Sequence, residues 1–141
     1  FPMGAVLIAP SIPAVKGMLG TTFGGNHLAC AAAIAVIDAL EGEAMIANAA
    51  AEGEYLMEEL RRLATECDEI TEIRGRGLMI GIEIKGSASE IRKRLLFEHR
   101  IFTGGAGEHT VRLLPALCLP RSHSRRFIDA FRQVLTSKKP S

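Results

Sequence analysis

The amino-acid sequence predicts an α+β fold in which a small sheet and a set of helices form two layers. Apolar residues alternate with other residues from 78 to 84, as in a strand with one buried face. Residues 43–67 instead repeat apolar side chains every three, four or seven positions, as in a helix with one buried side. A shorter strand-like run, 110–114, ends at Pro115 and is followed by another helical pattern. Short strands separated by amphipathic helices are typical of this fold class.

Composition and charge indicate a globular protein and argue against two classes of partner. The chain has 141 residues, of which 48% are hydrophobic and 23% charged, so it is long and apolar enough to form a core. Its net charge of +1 gives no reason to expect nucleic acid or an anionic membrane as a partner. We interpret the basic residues near the C-terminal end as a solvated face; they are Arg121, Arg125, Arg126, Arg132, Lys138 and Lys139.

The cysteines and the longest apolar stretch indicate a protein of the cytoplasm. Cys30, Cys67 and Cys118 lack paired spacing, so the sequence predicts neither a metal site nor a disulfide framework. A reducing compartment fits this cysteine usage best. The apolar stretch 28–40 is interrupted by Asp38 and is too short to span a bilayer, so no membrane partner is expected.

The first third of the chain predicts a strand, an ordered loop and a buried helix. Residues 6–9 form a short apolar run closed by Pro10, which is compatible with a buried strand. The segment 10–25 is rich in glycine and proline and predicts a loop. Asn26 can accept a hydrogen bond from a first-turn N–H, so it predicts the cap of a helix at 27–40.

The rest of the chain predicts alternating helices and strands. Gly53 interrupts the helix at 43–67, at a cost of ~1 kcal/mol relative to alanine. Ser87 and Glu90 have the spacing of a capping box and predict that a helix begins there. The remaining elements are a short strand at 101–102, a glycine turn at 104–107 and a helix at 124–135.

Two adjacent threonines precede a glycine turn and a helix cap in the segment 20–26. Short hydroxyl donors on backbone that glycine makes permissive suit a phosphate dianion. Thr21 and Thr22 are therefore candidate phosphate ligands. In the alternative interpretation the segment is an ordinary turn, in which both hydroxyls bond to local backbone groups.

One arginine stands among apolar residues of a predicted strand. Arg112 lies between Val111 and Leu113, and a planar guanidinium suits a two-point grip on a carboxylate. The alternative is a surface arginine paired with one of the acids of the chain. Arg74 and Arg76, beside a glycine turn, are interpreted as structural ion-pair residues instead.

Four segments carry a family resemblance; they are 1–5 (FPMGA), 20–26 (GTTFGGN), 73–82 (IRGRGLMIGI) and 111–115 (VRLLP). Together they resemble the C-terminal part of the class III (fold-type I) pyridoxal-phosphate aminotransferases, within the subgroup that acts on terminal amino groups. In that family the first segment follows the lysine that binds the cofactor, and the second reaches the cofactor phosphate. The third corresponds to the first long strand of the small domain, and the fourth to the strand that carries an arginine for the substrate carboxylate.

The resemblance implies a domain organisation. Residues 1–26 would be the trailing edge of a large domain that binds pyridoxal phosphate, and residues 27–141 the small C-terminal domain. That domain has a small, antiparallel-rich sheet with helices on one side. The lysine that forms the Schiff base is expected upstream of Phe1, so no catalytic residue is assigned and the chain is expected to be an inactive part of a larger, homodimeric enzyme.

The resemblance also assigns binding residues. Thr22, with Thr21 beside it, would bind the pyridoxal phosphate held by the neighbouring subunit, and Arg112 would bind the α-carboxylate of the substrate. Two positions depart from the family pattern, because His27 and Ala116 stand where proline is common.

The implied reaction moves the terminal amino group of N-acetylornithine, or a similar N-acylornithine, to 2-oxoglutarate in arginine biosynthesis. Transamination of ornithine, 4-aminobutyrate or succinylornithine remains open. So does a non-catalytic α+β module that binds a ligand or mediates dimerisation.

Overall fold

The computed structural model describes residues 1–13, 15–18 and 20–137, so Lys138 and Lys139 of the predicted basic face lie outside the described residues. The chain divides into two compact units, Phe1–Ala44 and Met45–Ser141. The assignment of residues 1–26 to a large domain and of 27–141 to a small one stays a prediction.

Within its described residues, the first unit contains one helix, α1, at His27–Gly42. It begins where the sequence predicts, because Asn26 caps it: the Asn26 Oδ1 accepts the Ala29 N–H at 2.9 Å. The Asn26 Nδ2 also donates to the Phe23 carbonyl at 2.9 Å, which ties the preceding turn to the cap.

The strand predicted at 6–9 is not formed, so that prediction is wrong. A strand needs a partner to accept and donate its ladder hydrogen bonds, and no described residue pairs with this segment. Val6 and Leu7 are exposed, so the apolar run is not covered within this unit.

Residues 45–137, the described part of the second unit, form three helices and four strands. In chain order they are α2 (Met45–Glu66), β1 (Ile70–Arg76), β2 (Met79–Ile84), α3 (Ala88–His99), β3 (Gly104–Ala106), β4 (Thr110–Leu113) and α4 (Arg121–Thr136). The strands form one sheet in the order β1-β2-β4-β3, with every neighbouring pair antiparallel. This arrangement confirms the predicted α+β class with a small antiparallel sheet.

Strand register separates the two faces of the sheet. Ile80 pairs with Leu113 and Ile82 with Val111, and all four side chains are buried in the core. Because paired residues point to the same side, the residues that alternate with them lie on the opposite face. Helix α2 contacts β1 and β2, α3 contacts β3 and β4, and α4 packs against α2 and α3.

Two strands differ from the sequence prediction. The apolar pattern did not predict β1, because charged residues and a glycine interrupt it; the family resemblance placed a single long strand at 73–82, which the structure divides between β1 and β2. The run 101–102 is not a strand; β3 instead occupies Gly104–Ala106, within the predicted glycine turn. Both glycines of β3 pair with β4, so ladder hydrogen bonds rather than side-chain burial define this strand.

Gly53 marks a backbone contact between α2 and the turn that joins β1 to β2. A Cβ added at Gly53 would lie 2.7 Å from the Gly77 Cα, and closer still to the Gly77 carbonyl. Gly77 itself has φ +54, a conformation that glycine favours. The predicted interruption of the helix is therefore the point at which the helix approaches the sheet.

A buried carboxylate links α2 to α4. Glu52 is 5% exposed and accepts hydrogen bonds from the Arg121 Nε at 2.8 Å and the Ser124 Oγ at 2.7 Å. The Arg121 guanidinium also lies 3.9 Å from the centre of the Tyr55 ring. Arg121, predicted to belong to a solvated face, is thus part of the contact between helices, and α4 begins there rather than at residue 124.

Among the residues that the structure describes, no helix combines the length and the apolar character needed to cross a membrane.

Candidate functional site

Arg112 occupies the middle of β4, on the face of the sheet opposite the core. Its partner on β2 is Gly81 and its partner on β3 is Gly104, so neither neighbouring strand places a side chain beside it. A Cβ on Gly104 would lie 3.2 Å from the Arg112 Nε and 3.5 Å from its Nη2. The arginine side chain therefore lies directly over β3, in space that a larger residue would occupy.

The acid nearest to Arg112 in the strand register is already engaged. Glu83 pairs across the sheet with Thr110, two residues from Arg112. Its Oε2 accepts from the Thr110 Oγ1 at 2.7 Å and from the Arg74 Nη2 at 3.1 Å. Arg74 also bonds to Glu72 at 3.0 Å, as expected for a structural ion-pair residue.

These contacts stabilise the ionised form of Glu83. The Thr110 hydrogen bond is the largest cause of a pKa below the ordinary value of 4.5; desolvation opposes it, and the hydrogen bond and charge of Arg74 lower the pKa further. Within the described part of the chain, Arg112 has no carboxylate partner. Its side chain also makes no hydrogen bond to any residue that the structure describes, so its five N–H donors can serve a ligand.

Arg112 lines a pocket of about 440 Å³ in the second unit. This volume is within the usual range of ligand sites, roughly 300–1,000 Å³. Most of the wall is apolar, and it includes the exposed side chains of Phe102 and Leu114. A cation in a mainly apolar pocket can bind an organic acid by its charge and its carbon chain together.

The threonine segment lies in the first unit. Thr21 and Thr22 are exposed, and neither hydroxyl has a hydrogen-bond partner among the described residues. Helix capping is done by Asn26 instead. The alternative interpretation required both hydroxyls to bond to local backbone groups. Neither of them does so among the described residues.

The backbone that follows has the conformation of a tight elbow. Gly25 has φ +71, and a Cβ at Gly24 would collide with the methyl group of Thr21. Exposed, unpartnered hydroxyls on such a backbone fit a phosphate group, because short donors can converge on it without displacing existing bonds.

Comparison with known proteins shows the family. The sequence matches the family described as aminotransferase class-III over residues 1–135. The chain belongs to the class-III aminotransferases. An alanine–glyoxylate aminotransferase 2-like protein of Drosophila melanogaster is 33% identical over 96% of this chain and 31% of its own length. The acetylornithine aminotransferase of Nitrosomonas europaea is 34% identical over 96% of this chain and 35% of its own length.

The fold also matches that of a solved aminotransferase structure. The crystal structure of acetylornithine aminotransferase from Elizabethkingia anophelis superposes with a TM-score of 0.79 and 28% sequence identity, covering 86% of this chain and 33% of that one. The chain thus spans about a third of the length of the relatives that it matches.

Sequence reasoning missed three pocket residues. Arg100, Thr103 and Arg126 line the same pocket as Arg112. Arg126 was assigned to a solvated face. Arg100 and Thr103 follow α3, and the one unusual sequence feature there is that an arginine, not a glycine, comes after His99 at the end of the helix. Their proximity arises from tertiary packing, which sequence spacing does not report.

Proposed function

We propose that this chain forms part of a pyridoxal-phosphate-dependent aminotransferase that acts on the terminal amino group of an N-acylornithine, with 2-oxoglutarate as acceptor. The observation that carries the proposal is the setting of Arg112. It has no carboxylate partner among the described residues, its partners on both neighbouring strands are glycines, and it lines a pocket with a mainly apolar wall. Family membership supplies the reaction class, and arginine biosynthesis is the pathway in which such a transfer would serve.

Arg112 would hold the substrate carboxylate. A guanidinium binds both carboxylate oxygens through parallel N–H bonds, which fixes the direction of the acid as well as its position. Both proposed substrates are acids, so the same arginine would serve each half of the reaction. Gly81 and Gly104 leave room for this contact, because they place no Cβ beside the arginine.

Thr22, with Thr21 beside it, would hold the cofactor phosphate. Bound pyridoxal phosphate supplies the electron sink that lets an amino group leave one carbon skeleton and join another. The threonine hydroxyls and the elbow would anchor its phosphate, while the bond-making chemistry occurs elsewhere. In a homodimer this cofactor would belong to the neighbouring subunit.

The choice of amino donor rests on the relatives. Proteins named acetylornithine aminotransferase are similar over nearly the whole chain, in sequence and in structure. A relative named for alanine and glyoxylate is comparably similar, so alanine is the second candidate donor. Competition between N-acetylornithine, ornithine and alanine as donors distinguishes these activities.

The test of Arg112 is made in the complete enzyme that contains this segment. We expect Arg112→Ala to raise the KM for both acid substrates by about tenfold to a hundredfold, as for loss of a charged hydrogen bond, with a smaller change in kcat. Arg112→Lys keeps the charge but loses the planar guanidinium, so its KM values should lie between those of the unmodified enzyme and those of Arg112→Ala. Unchanged KM values for both acids would remove Arg112 from the site.

The test of Thr22 uses cofactor retention. We expect Thr22→Ala to increase the dissociation constant of pyridoxal phosphate by about tenfold, measured by absorbance after equilibrium dialysis, while kcat at saturating cofactor changes less. Thr22→Ser keeps the hydroxyl and serves as the matched control. Equal retention by the alanine variant and the unmodified enzyme would contradict the proposal.

A further inference from the structure

The two glycines of β3 are approached by arginines on opposite faces of the sheet. Gly104 pairs with Arg112 and Gly105 pairs with Val111, and successive residues of a strand point to opposite faces. On one face, a Cβ at Gly104 would lie 3.2 Å from the Arg112 Nε. On the other face, a Cβ at Gly105 would lie 2.7 Å from the Arg92 Nη1, which is too close for a real side chain. β3 therefore lies between the two guanidinium groups.

Arg92 comes from α3 and holds the chain where β3 begins. Its Nε donates to the Thr103 carbonyl at 3.1 Å, in a partly buried contact, and Thr103 immediately precedes β3. A hydrogen bond from a charged donor is stronger than one between neutral groups. Helix α3 is itself anchored, because its Leu95 belongs to the hydrophobic core. Arg92 thus ties β3 to an element that the core fixes in place.

β3 has little else to fix its position. The strand consists of Gly104, Gly105 and Ala106, and it contributes no side chain to the core cluster. It lies at the edge of the described sheet, so it pairs with β4 alone. Short segments with few buried apolar contacts open more easily than central strands. The contact that Arg92 supplies therefore matters more for β3 than it would for a strand inside the sheet.

The position of β3 in turn decides where the Arg112 guanidinium can lie. The Arg112 side chain makes no hydrogen bond to any described residue, so the surface beneath it, at Gly104, is what restricts it. If β3 moved away, the side chain would gain rotamers. A ligand would then have to overcome the entropy of ordering a long, flexible side chain before it could bind.

We propose that Arg92 is a positioning residue for Arg112. By holding the Thr103 carbonyl and lying against Gly105, it keeps β3 beneath the Arg112 guanidinium. Arg92 does not line the pocket that contains Arg112, so it acts through β3 and not by contact with a ligand. Its effect on substrate binding rests on the proposed function of Arg112, but its effect on the conformation of β3 does not.

NMR of the 141-residue chain tests the conformational part. The nuclear Overhauser effect (NOE) between the Gly104 Hα and the Arg112 Hε reports their contact, and it does not depend on charge. We expect Arg92→Met to weaken this NOE and to accelerate hydrogen exchange of the β3 amides about tenfold. Arg92→Lys keeps a charged donor and should retain the contact. An unchanged NOE together with unchanged exchange in Arg92→Met would overturn the proposal.

Two further variants control this experiment. Lys93→Met removes one charge from the next position of α3, where the side chain is exposed, and it should change neither the NOE nor the exchange. Gly105→Ala keeps the charge of Arg92 but places a methyl group against its guanidinium, so it should weaken the same NOE. If Arg92→Met does not fold, Gly105→Ala decides: a full-strength NOE in that variant would overturn the proposal.

Kinetics of the complete enzyme test the functional part. We expect Arg92→Met to raise the KM for both acid substrates about threefold to tenfold, with kcat changed less than about twofold. Arg92→Lys should restore most of the loss. In an Arg112→Ala background, Arg92→Met should add little, because the residue through which it acts has been removed. A full KM effect of Arg92→Met in that background would overturn the proposal.

The outcomes separate this proposal from the proposed function. If Arg112→Ala leaves the KM values unchanged while Arg92→Met still weakens the NOE, the carboxylate role of Arg112 is wrong and the positioning of Arg112 stands. If Arg112→Ala raises the KM values while Arg92→Met leaves the NOE and the exchange unchanged, the positioning role is wrong and the role of Arg112 stands.

Discussion

Gly53 shows how one small residue can connect two elements. In the sequence it reads only as an interruption of a helix, but in the structure the missing side chain lets α2 contact the backbone at Gly77. Backbone atoms cannot rotate aside as a side chain can, so the contact cannot readily adapt to a larger residue.

We expect Gly53→Ala to lower the free energy of unfolding by about 1–3 kcal/mol, as for an overpacked core, although alanine favours helices by about 1 kcal/mol. Chemical denaturation followed by circular dichroism measures this. Gly42→Ala is the control, because Gly42 also lies in a helix and a Cβ there would meet nothing within 4 Å. A Gly53→Ala variant as stable as the control would show that the turn can move.

Residue-level reasoning succeeded where the chemistry is local. Asn26 caps α1 through its own side chain, and Arg74 pairs with acids in its own hairpin. Ser87 occupies the predicted cap position, yet its side chain makes no capping hydrogen bond. Residues such as Thr103 and Arg126 acquire their surroundings only through folding, so no comparable local signal marks them in the sequence.

At the scale of elements, three strands cooperate around one carboxylate. Glu83 on β2 receives the Thr110 hydroxyl from β4 and the Arg74 guanidinium from β1. Since its pKa is lowered in the folded state, Glu83 stabilises the fold above the ordinary carboxyl pKa of 4.5. That contribution is lost as pH falls through the lowered value.

We expect Thr110→Val to raise the pKa of Glu83 toward 4.5, because the valine removes the hydrogen bond that lowers it most. The part of the acid-induced loss of stability that Glu83 contributes should then be smaller than in the unmodified chain, because its folded-state pKa lies closer to that of the unfolded chain. Carboxyl NMR titration measures the pKa, and Glu98 is an internal reference, since its pKa is lowered by Arg94 on α3 instead. A shift of both glutamates, or of neither, would contradict the assigned cause.

Elements with a strong apolar period could be predicted, and those defined by pairing could not. The one-sided stripe of α2 and the alternation of β2 place those elements within a few residues of their observed bounds. β3 has two glycines and β1 has alternating charges, so neither shows the apolar pattern that marks a buried strand. Their partners β4 and β2 specify them.

At the scale of the molecule, the main hydrophobic core lies within one unit. Its members extend from Ala49 to Val134, all in the second unit, and come from α2, the sheet, α3 and α4. Among the described residues of the first unit, Ala29 is the one buried hydrophobic residue, while Leu28 and Ile34 of α1 are exposed. The cooperative stability of the chain should therefore reside in residues 45–137.

We expect a fragment beginning at Met45 to unfold cooperatively, with a Tm close to that of the whole chain, because deletion of residues 1–44 removes no member of the core cluster. Differential scanning calorimetry of the fragment and the whole chain measures this. A fragment without a cooperative transition would mean that the second unit depends on residues 1–44.

The candidate site was predicted through resemblance more than through residue physics. Elementary chemistry singled out Arg112 and the two threonines but left an ordinary turn and a surface ion pair as alternatives. The structure supplies what the sequence lacked for Arg112, namely its glycine neighbours and its pocket. Thr21 and Thr22 lie in one unit and Arg112 in the other, and the roles of all three remain proposals.

The pair of glycines beside Arg112 has a consequence for mutational drift. An alanine at position 104 would press on the Arg112 Nε while leaving charge, hydropathy and strand pairing almost unaltered. Such a change would escape any screen for misfolding, yet it would redirect the guanidinium. If Arg112 has the proposed role, loss of carboxylate binding in a lineage would thus begin at a methyl group, with the arginine itself still in place.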